Sequence, residues 1–334
     1  MSSRFRDLDE DDVRSRPSRN KSRPRSKDRP QHDDAILGMV TTVDRGRFTV
    51  MINEGTEEEH TIYAIKAREL GRKGVLVGDR VGVVGDLAGG PDSLARLVTV
   101  HPRTSLLRRT ADDTDPVERN IVANAEQLLI VQALADPTPR IRFIDRCVVA
   151  ALDEGIKPIL VLTKRDLADD AEVREAFRGI DLQIFTTEQG QSVDELRDAL
   201  TDKISVVIGH SGVGKSTLVN ALVPDAYRAI GVVNDVTGRG RHTSTSAIAL
   251  ALPDGGWIID TPGVRSFGLA HIDSAHVIRF FPELEDGTEG CPRACSHIEP
   301  ECGLDAWIES KKIPSSRLDS LRRLITSIRS GATD

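Results

Sequence analysis

Gly209-His210-Ser211-Gly212-Val213-Gly214-Lys215-Ser216 has the residue types and spacing to hold a polyphosphate. It fits G-x-x-x-x-G-K-[ST], between an apolar run at Ile204–Ile208 that reads as a strand and a helical stretch at 217–222 that opens with Thr217. The glycines let backbone amides turn toward phosphate oxygens at a helix N-terminus. Lys215 is expected to pair with the β- and γ-phosphates, and Ser216 to ligate Mg²⁺. Asp260-Thr261-Pro262-Gly263 fits D-x-x-G at the end of a strand at 257–259. There Asp260 can hold Mg²⁺ through water, and the Gly263 amide can sense a γ-phosphate. Between the two motifs lies Gly238-Arg239-Gly240-Arg241-His242-Thr243-Ser244-Thr245, which has no apolar anchors. A threonine in such a loop can close on Mg²⁺ and the γ-phosphate. Thr243 is the reading, with Ser244 and Thr245 as alternatives.

Thr163-Lys164-Arg165-Asp166 follows a predicted strand at 158–162. An aspartate there can accept from guanine N1–H and the N2 amine. Adenine lacks that donor pair, so it would leave the carboxylate unpaired. The Lys164 stem can pack along the base, and Thr163 stands where asparagine is more usual. The bland reading is a strand-end charge cluster, but the phosphate loop in the same sheet argues for base recognition. The base-reading element here precedes the phosphate loop, the reverse of an ordinary P-loop GTPase, which implies a circular permutation. Thr186-Thr187-Glu188 is a poor match to the usual Ser-Ala element. Val264 stands where glutamine usually orients the attacking water, so slow intrinsic hydrolysis is expected. His242 is the nearest replacement, with contact to RNA or solvent as its alternative; His210 is the weaker candidate.

Cys291-x₃-Cys295-x-His297-x₄-Cys302 supplies three thiolates and one imidazole. Four N/S ligands suit a closed, structural Zn²⁺ site, and the histidine argues against redox chemistry. Cys147 reads as an inert buried thiol.

These residues must be positioned by folded elements. Five β-rich runs, at 38–43, Arg47–Ile52, 60–65, 80–84 and Ala95–Val100, predict an OB-type barrel over 36–102. From about residue 120, apolar strand-like runs alternate with helical stretches at 141–152, Ala171–Phe177 and 193–200. That alternation predicts an α/β domain with a doubly wound, mostly parallel sheet over 103–270, led by a linker at 103–119. Residues 271–334 form the zinc-binding and helical end. There Ser316-Arg317-Leu318-Asp319 resembles a capping box, and Leu318, Leu321, Leu324, Ile325 and Ile328 make an apolar stripe. Arg317, Arg322, Arg323 and Arg329 lie off that stripe, facing RNA or solvent. The 334 residues carry a net charge of −7, which weighs against a generally basic nucleic-acid binder. Yet 13–30 holds eight basic residues and one acidic one. Residues 1–35 are expected to be a disordered basic tail that contacts RNA phosphate, or else a solubilising one. No apolar run approaches membrane-spanning length, and the N-terminus reads as non-secretory.

Taken together, these motifs resemble the ribosome small-subunit-dependent GTPase A family from Ile36 onward. The resemblance implies a cytoplasmic factor in late maturation of the small (30S) ribosomal subunit, with GTPase activity stimulated by that subunit. It further implies rRNA binding and one Zn²⁺; the motifs themselves call for Mg²⁺ with GTP, and the chain is expected to act as a monomer without a membrane. Two other classes fit parts of the pattern. A nucleotide-dependent RNA-binding scaffold would accommodate Val264, whereas an ATP-using P-loop kinase is opposed by Asp166.

Overall fold

A computed structural model describes residues 32–71, 74–90, 93–110, 118–224, 247–261, 269 and 272–329. Five strands close a barrel: β1 (Ile36–Asp44), β2 (Arg47–Ile52), β3 (His60–Lys66), β4 (Arg80–Gly85) and β5 (Ala95–Val100). β1 pairs antiparallel with β2 and β4, and a parallel β3–β5 pairing completes the ring. Val40, Val50, Ile62, Val81 and Leu97 fill its interior. The runs seen in the sequence are short because each strand needs only enough alternating apolar residues to line a narrow core.

The region read as a linker contains one further strand, and a second begins at its last residue. β6 (Leu106–Arg109) pairs antiparallel with β7 (Arg119–Ala123), burying Leu107 and Val122. Only a few apolar residues take part, so the pattern was too short to show as a strand pair. Behind it lies a close junction. Arg103 donates to both carboxylate oxygens of fully buried Asp79, at 2.7 and 2.9 Å. Asn124 donates to Gly78 O at 2.8 Å, and Ala123 N donates to Val77 O at 3.0 Å.

The main α/β layer contains β8 (Gln127–Ala133), β9 (Lys157–Thr163), β10 (Gln183–Thr186), β11 (Ile204–Ile208), β12 (Ile248–Ala251) and β13 (Trp257–Asp260). Their order is β10-β9-β8-β11-β13-β12, parallel except for the antiparallel β13–β12 pair. Helices α1 (Ile141–Asp153), α2 (Ala171–Phe177), α3 (Asp194–Leu200) and α4 (Lys215–Leu222) cover its faces. Every residue of β8 is buried, with Leu128 and Ile130 in one core and Leu129 and Val131 in the other. That split follows the period of two along a strand covered on both sides. β12 also pairs with β1, through Thr42 and Ile248. A register shift in β1 between Val40 and Thr42 accompanies this joining of barrel and sheet.

The C-terminal region contains α5 (Pro282–Glu285), α6 (Leu304–Lys311) and α7 (Ser315–Arg329). Leu318, Leu321, Leu324 and Ile325 are buried along α7, as the stripe predicts, and Ile328 packs beside them. The expected capping box is not used. α7 starts at Ser315, one residue earlier, so Ser316 lies inside the first turn, and Arg317 N donates to Pro314 O at 3.0 Å. All four arginines off the stripe bind within the chain; Arg317, Arg322 and Arg323 are half-buried, while Arg329 is exposed, as the solvent alternative has it. Arg317 reaches Glu283 and Gly179 O, while Arg322 grips Asp305 at 2.6 and 3.1 Å and donates to His297 O. Arg323 reaches Asp145 and Ala176 O, and Arg329 donates to Ser296 Oγ. Docking on polar helix ends and loop carbonyls required donors beside the apolar stripe, a demand invisible in α7 alone.

Gly78 has φ +88°, and a Cβ there would lie 2.1 Å from Ala123 O. Gly78→Ala is therefore expected to destabilise the protein by about 2–4 kcal/mol, measured by urea unfolding. Asp145 is 1% exposed, and burial raises its pKa to about 6 despite Arg323. The folded state thus holds more protons than the unfolded one between about pH 4 and that value, so this group's contribution to stability falls as pH rises through the window. Asp145→Asn should remove that component of the slope in urea melts taken from about pH 4 to 7.

Candidate functional site

β11 ends at Ile208 and α4 begins at Lys215, so the glycine-rich segment is the turn between a buried strand and a helix start. Gly212 and Gly214 take φ +85° and +83°, which side chains with a Cβ rarely adopt. Val213 is buried beneath the loop, while Ser211, Ser216 and Thr217 are exposed. The first amides of α4 have no acceptor within the helix. With the Lys215 ammonium they make an arrangement suited to an anion. Lys215 Nζ lies 2.5 Å from Asp260 Oδ1. The register explains the meeting: β11 and β13 are parallel neighbours, with Val207 opposite Asp260. Thr261 donates to Val207 O at 2.8 Å, tying the turn after β13 to β11.

Thr163, Lys164 and Asp166 leave the end of β9, two strands from β11. The Thr163 hydroxyl donates to Val213 O at 2.6 Å, so the short side chain links this turn to the glycine-rich loop. Lys164 has φ +59° and donates to Asp136 O. Asp166 lines a cavity of about 240 Å³ with Lys164, Leu167, Gly214, Thr217 and Leu218. The opposite lining comes from Thr187, Glu188, Gln189, Gly190 and Gln191. These five lie outside the expected site residues because their types do not match the usual Ser-Ala element. Position supplies the missing signal: they follow β10, and backbone bonds Thr187 N to Leu162 O and Arg165 N to Thr187 O bind them to the Asp166 turn.

His210 packs its ring against Phe143 of α1, with centroids 4.4 Å apart. Gly209 lies close to β8; a Cβ there would come within 2.6 Å of Val131 O. His242, Thr243, Ser244, Thr245, Gly263 and Val264 lie outside the described residues.

The structure brings Cys291, Cys295, His297 and Cys302 together, with one donor atom from each inside a 4.8 Å span. Cys291 Sγ lies 3.7 Å from His297 Nδ1 and 3.9 Å from Cys302 Sγ. A tetrahedral ion with metal–sulfur bonds of about 2.3 Å requires sulfur–sulfur edges of about 3.8 Å. The cluster can therefore hold one metal ion. Burial holds His297 below its ordinary pKa, favouring the neutral imidazole that ligation requires. It raises the Cys295 and Cys302 thiols, whose deprotonation must accompany binding. Cys147 is fully buried with a thiol held well above its ordinary value.

The family model described as RsgA GTPase matches residues 100–270, which contain Thr163-Lys164-Arg165-Asp166 and the glycine-rich and D-x-x-G motifs. The chain belongs to the RsgA GTPase family. A small ribosomal subunit biogenesis GTPase RsgA from Chlorobaculum parvum is 32% identical over 308 residues, spanning 89% of this chain and 99% of that protein. Its counterpart from Shewanella oneidensis is 36% identical over 315 residues, spanning 90% and 88%. The crystal structure of YjeQ from Thermotoga maritima matches with a TM-score of 0.66 at 27% identity, over 88% of this chain and 98% of that one. YloQ, a circularly permuted GTPase, matches with a TM-score of 0.64 at 24% identity, over 91% and 98%. The chain is accordingly a GTPase with a permuted α/β domain behind a five-stranded barrel.

Removing the ion with a chelator is expected to lower the melting temperature, and metal should restore it. Because thiols must lose protons, metal affinity should rise with pH between about 6 and 8 in a competition titration. A pH-independent affinity would contradict thiolate ligation.

Proposed function

We propose that this chain is a GTP-hydrolysing factor in late maturation of the small (30S) ribosomal subunit, with hydrolysis stimulated by the docked subunit. The observation that carries the reading is the convergence of Lys215, Asp260 and the Asp166 cavity on one edge of a permuted sheet, in a chain of the RsgA GTPase family. The relatives named for small-subunit biogenesis, matched over most of their length, support the assembly role.

Asp166 reads the guanine edge, and Lys164 and Thr163 hold that turn in place. Gly209, His210, Ser211, Gly212, Val213 and Gly214 supply the phosphate-binding turn, with Ser216 and Thr217 at the helix start. Lys215 exchanges its Asp260 partner for phosphate oxygens when nucleotide binds. Ser216, Asp260 and Thr243 would hold Mg²⁺, which supplies charge neutralisation between the β- and γ-phosphates. The Gly263 amide senses the γ-phosphate. His242 is the proposed group for orienting water, since Val264 has no polar atom to do so.

The ion at Cys291, Cys295, His297 and Cys302 is Zn²⁺ in a structural role, because four N/S donors leave no open position for catalysis. The chain divides into a basic tail at 1–35, a barrel at 36–102, the GTPase domain at 103–270 and the zinc-binding helical end at 271–334. The tail contacts rRNA phosphate. The protein acts as a monomer in the cytoplasm; among the described residues, no helix is long and apolar enough to cross a membrane.

The test is GTP and ATP turnover with and without purified small subunits. GTP turnover should rise with subunits, and Lys215→Ala should lower it by about a hundredfold or more. Asp166→Asn should reduce the preference for GTP over ATP by about a hundredfold. Absence of subunit-stimulated, Lys215-dependent GTP hydrolysis would sink the proposal, and a wild-type preference for ATP would move the chain to another substrate class.

A further inference from the structure

β13 has only four residues, and the barrel reaches both of its ends. At the first end, the Trp257 indole N–H donates to Glu54 Oε1 in the β2–β3 loop, 203 positions away in the chain. The other Glu54 oxygen accepts from Arg80 of β4, so the barrel wall holds the carboxylate that holds the indole. At the second end, Asp260 pairs in register with Ile248 of β12, and Ile248 pairs with Thr42 of β1. Two strand spacings, about 10 Å, thus separate the Asp260 backbone from the barrel's first strand.

Between those ends Ile258 and Ile259 are fully buried. Close packing leaves little room for them to absorb a shift locally, so displacement at one end is carried to the other. The neighbour on the remaining side of β13 is β11, which leads into the glycine-rich loop. Moving the barrel relative to β11 therefore moves Asp260 relative to Lys215.

We propose that Glu54 is a positioning residue through which the barrel sets the place of Asp260. Through Trp257 it holds β13 where the Asp260 carboxylate can serve Mg²⁺. Docking of the barrel on a partner shifts this hold and changes the hydrolysis rate. The second half rests on the subunit-stimulated reading given above, whereas the first half needs only the GTPase itself.

The test uses the full chain with Glu54→Ala, Trp257→Phe and the double variant. Without subunits, the Mg²⁺ Kd measured by calorimetry with a non-hydrolysable GTP analogue bound, and the Mg²⁺ concentration that half-saturates basal GTP hydrolysis, should each rise about threefold in each single variant, with the saturated rate within about twofold of wild type. With saturating subunits, the stimulated rate should fall about tenfold in each. The double variant should be no worse than either single one, because both remove the same bond. An unchanged Mg²⁺ requirement, additive effects in the double variant, or full stimulation of Glu54→Ala would each overturn the inference. If wild type is not stimulated by subunits, the assembly reading falls and the Mg²⁺ measurement alone decides this one. Glu54 is on a part-exposed loop, so Glu54→Ala keeps the test decisive if Trp257→Phe fails to fold, as a thermal melt would show.

Discussion

Parallel pairing is the constraint on which the site depends. Strands that run the same way end on the same edge of a sheet, whatever their order in the chain. β9, β8, β11 and β13 obey this, so the turns after β9, β11 and β13 meet even though the first comes earliest in sequence. Lys215 reaches Asp260 because their strands are neighbours. Thr163 reaches Val213 across an intervening strand because both turns rise from that edge. Circular permutation leaves this geometry intact, since it moves the chain ends without changing which strands pair.

What permutation changes is where other modules attach. The chain enters the α/β layer from the barrel and leaves it after β13, so both outer modules adjoin the nucleotide elements. At the entry, the buried Asp79 carboxylate paired with part-exposed Arg103, and the Asn124–Gly78 bond, fix the barrel against β7. Removing Arg103 would leave the buried Asp79 carboxylate without its charged partner, at a cost of up to about 3–5 kcal/mol. At the exit, α7 returns to α1 and the end of α2 through Arg323, and to the residue after Arg178 through the Gly179 carbonyl. A flexible tether on either side would transmit little, whereas these directional contacts leave few ways for the modules to move independently.

The elements most visible in the sequence were those whose physics is local. β11, α2, and the apolar stripe of α7 each announce themselves by period or by a run of buried residues. The glycine-rich loop is legible because its glycines answer to backbone geometry and its lysine to phosphate charge. The β6–β7 pair was missed because Leu107 and Val122 are buried by a partner strand, and neither strand carries much pattern alone. Thr187 to Gln191 are hard to read in the sequence because they line the cavity by where their backbone runs, and their side chains do not match the usual Ser-Ala element. The internal partners of the α7 arginines are illegible for the same kind of reason. Their partners, Asp145, Asp305, Glu283 and loop carbonyls, come from distant segments, and a basic helix face looks identical whether it meets RNA or a carboxylate in its own chain.

That reassignment alters the electrostatic account of partner binding. A guanidinium held by two carboxylate oxygens, as Arg322 is by Asp305, has already given up much of its attraction for an external phosphate. Recruiting it to RNA would cost the loss of that pair and of the His297 carbonyl bond beside the metal cluster. Arg329 is likewise tied to Ser296, which hydrogen-bonds Glu299 next to Cys295. The same helix therefore secures the metal-binding loop with Arg322 and Arg329 and the GTPase layer with Arg317 and Arg323. Its charge is cohesive. A metal ion at the cluster would organise the loop that supplies the His297 carbonyl, and through Arg322 it would stabilise α7 on α1. Metal binding, in this arrangement, would support the GTPase layer through α7.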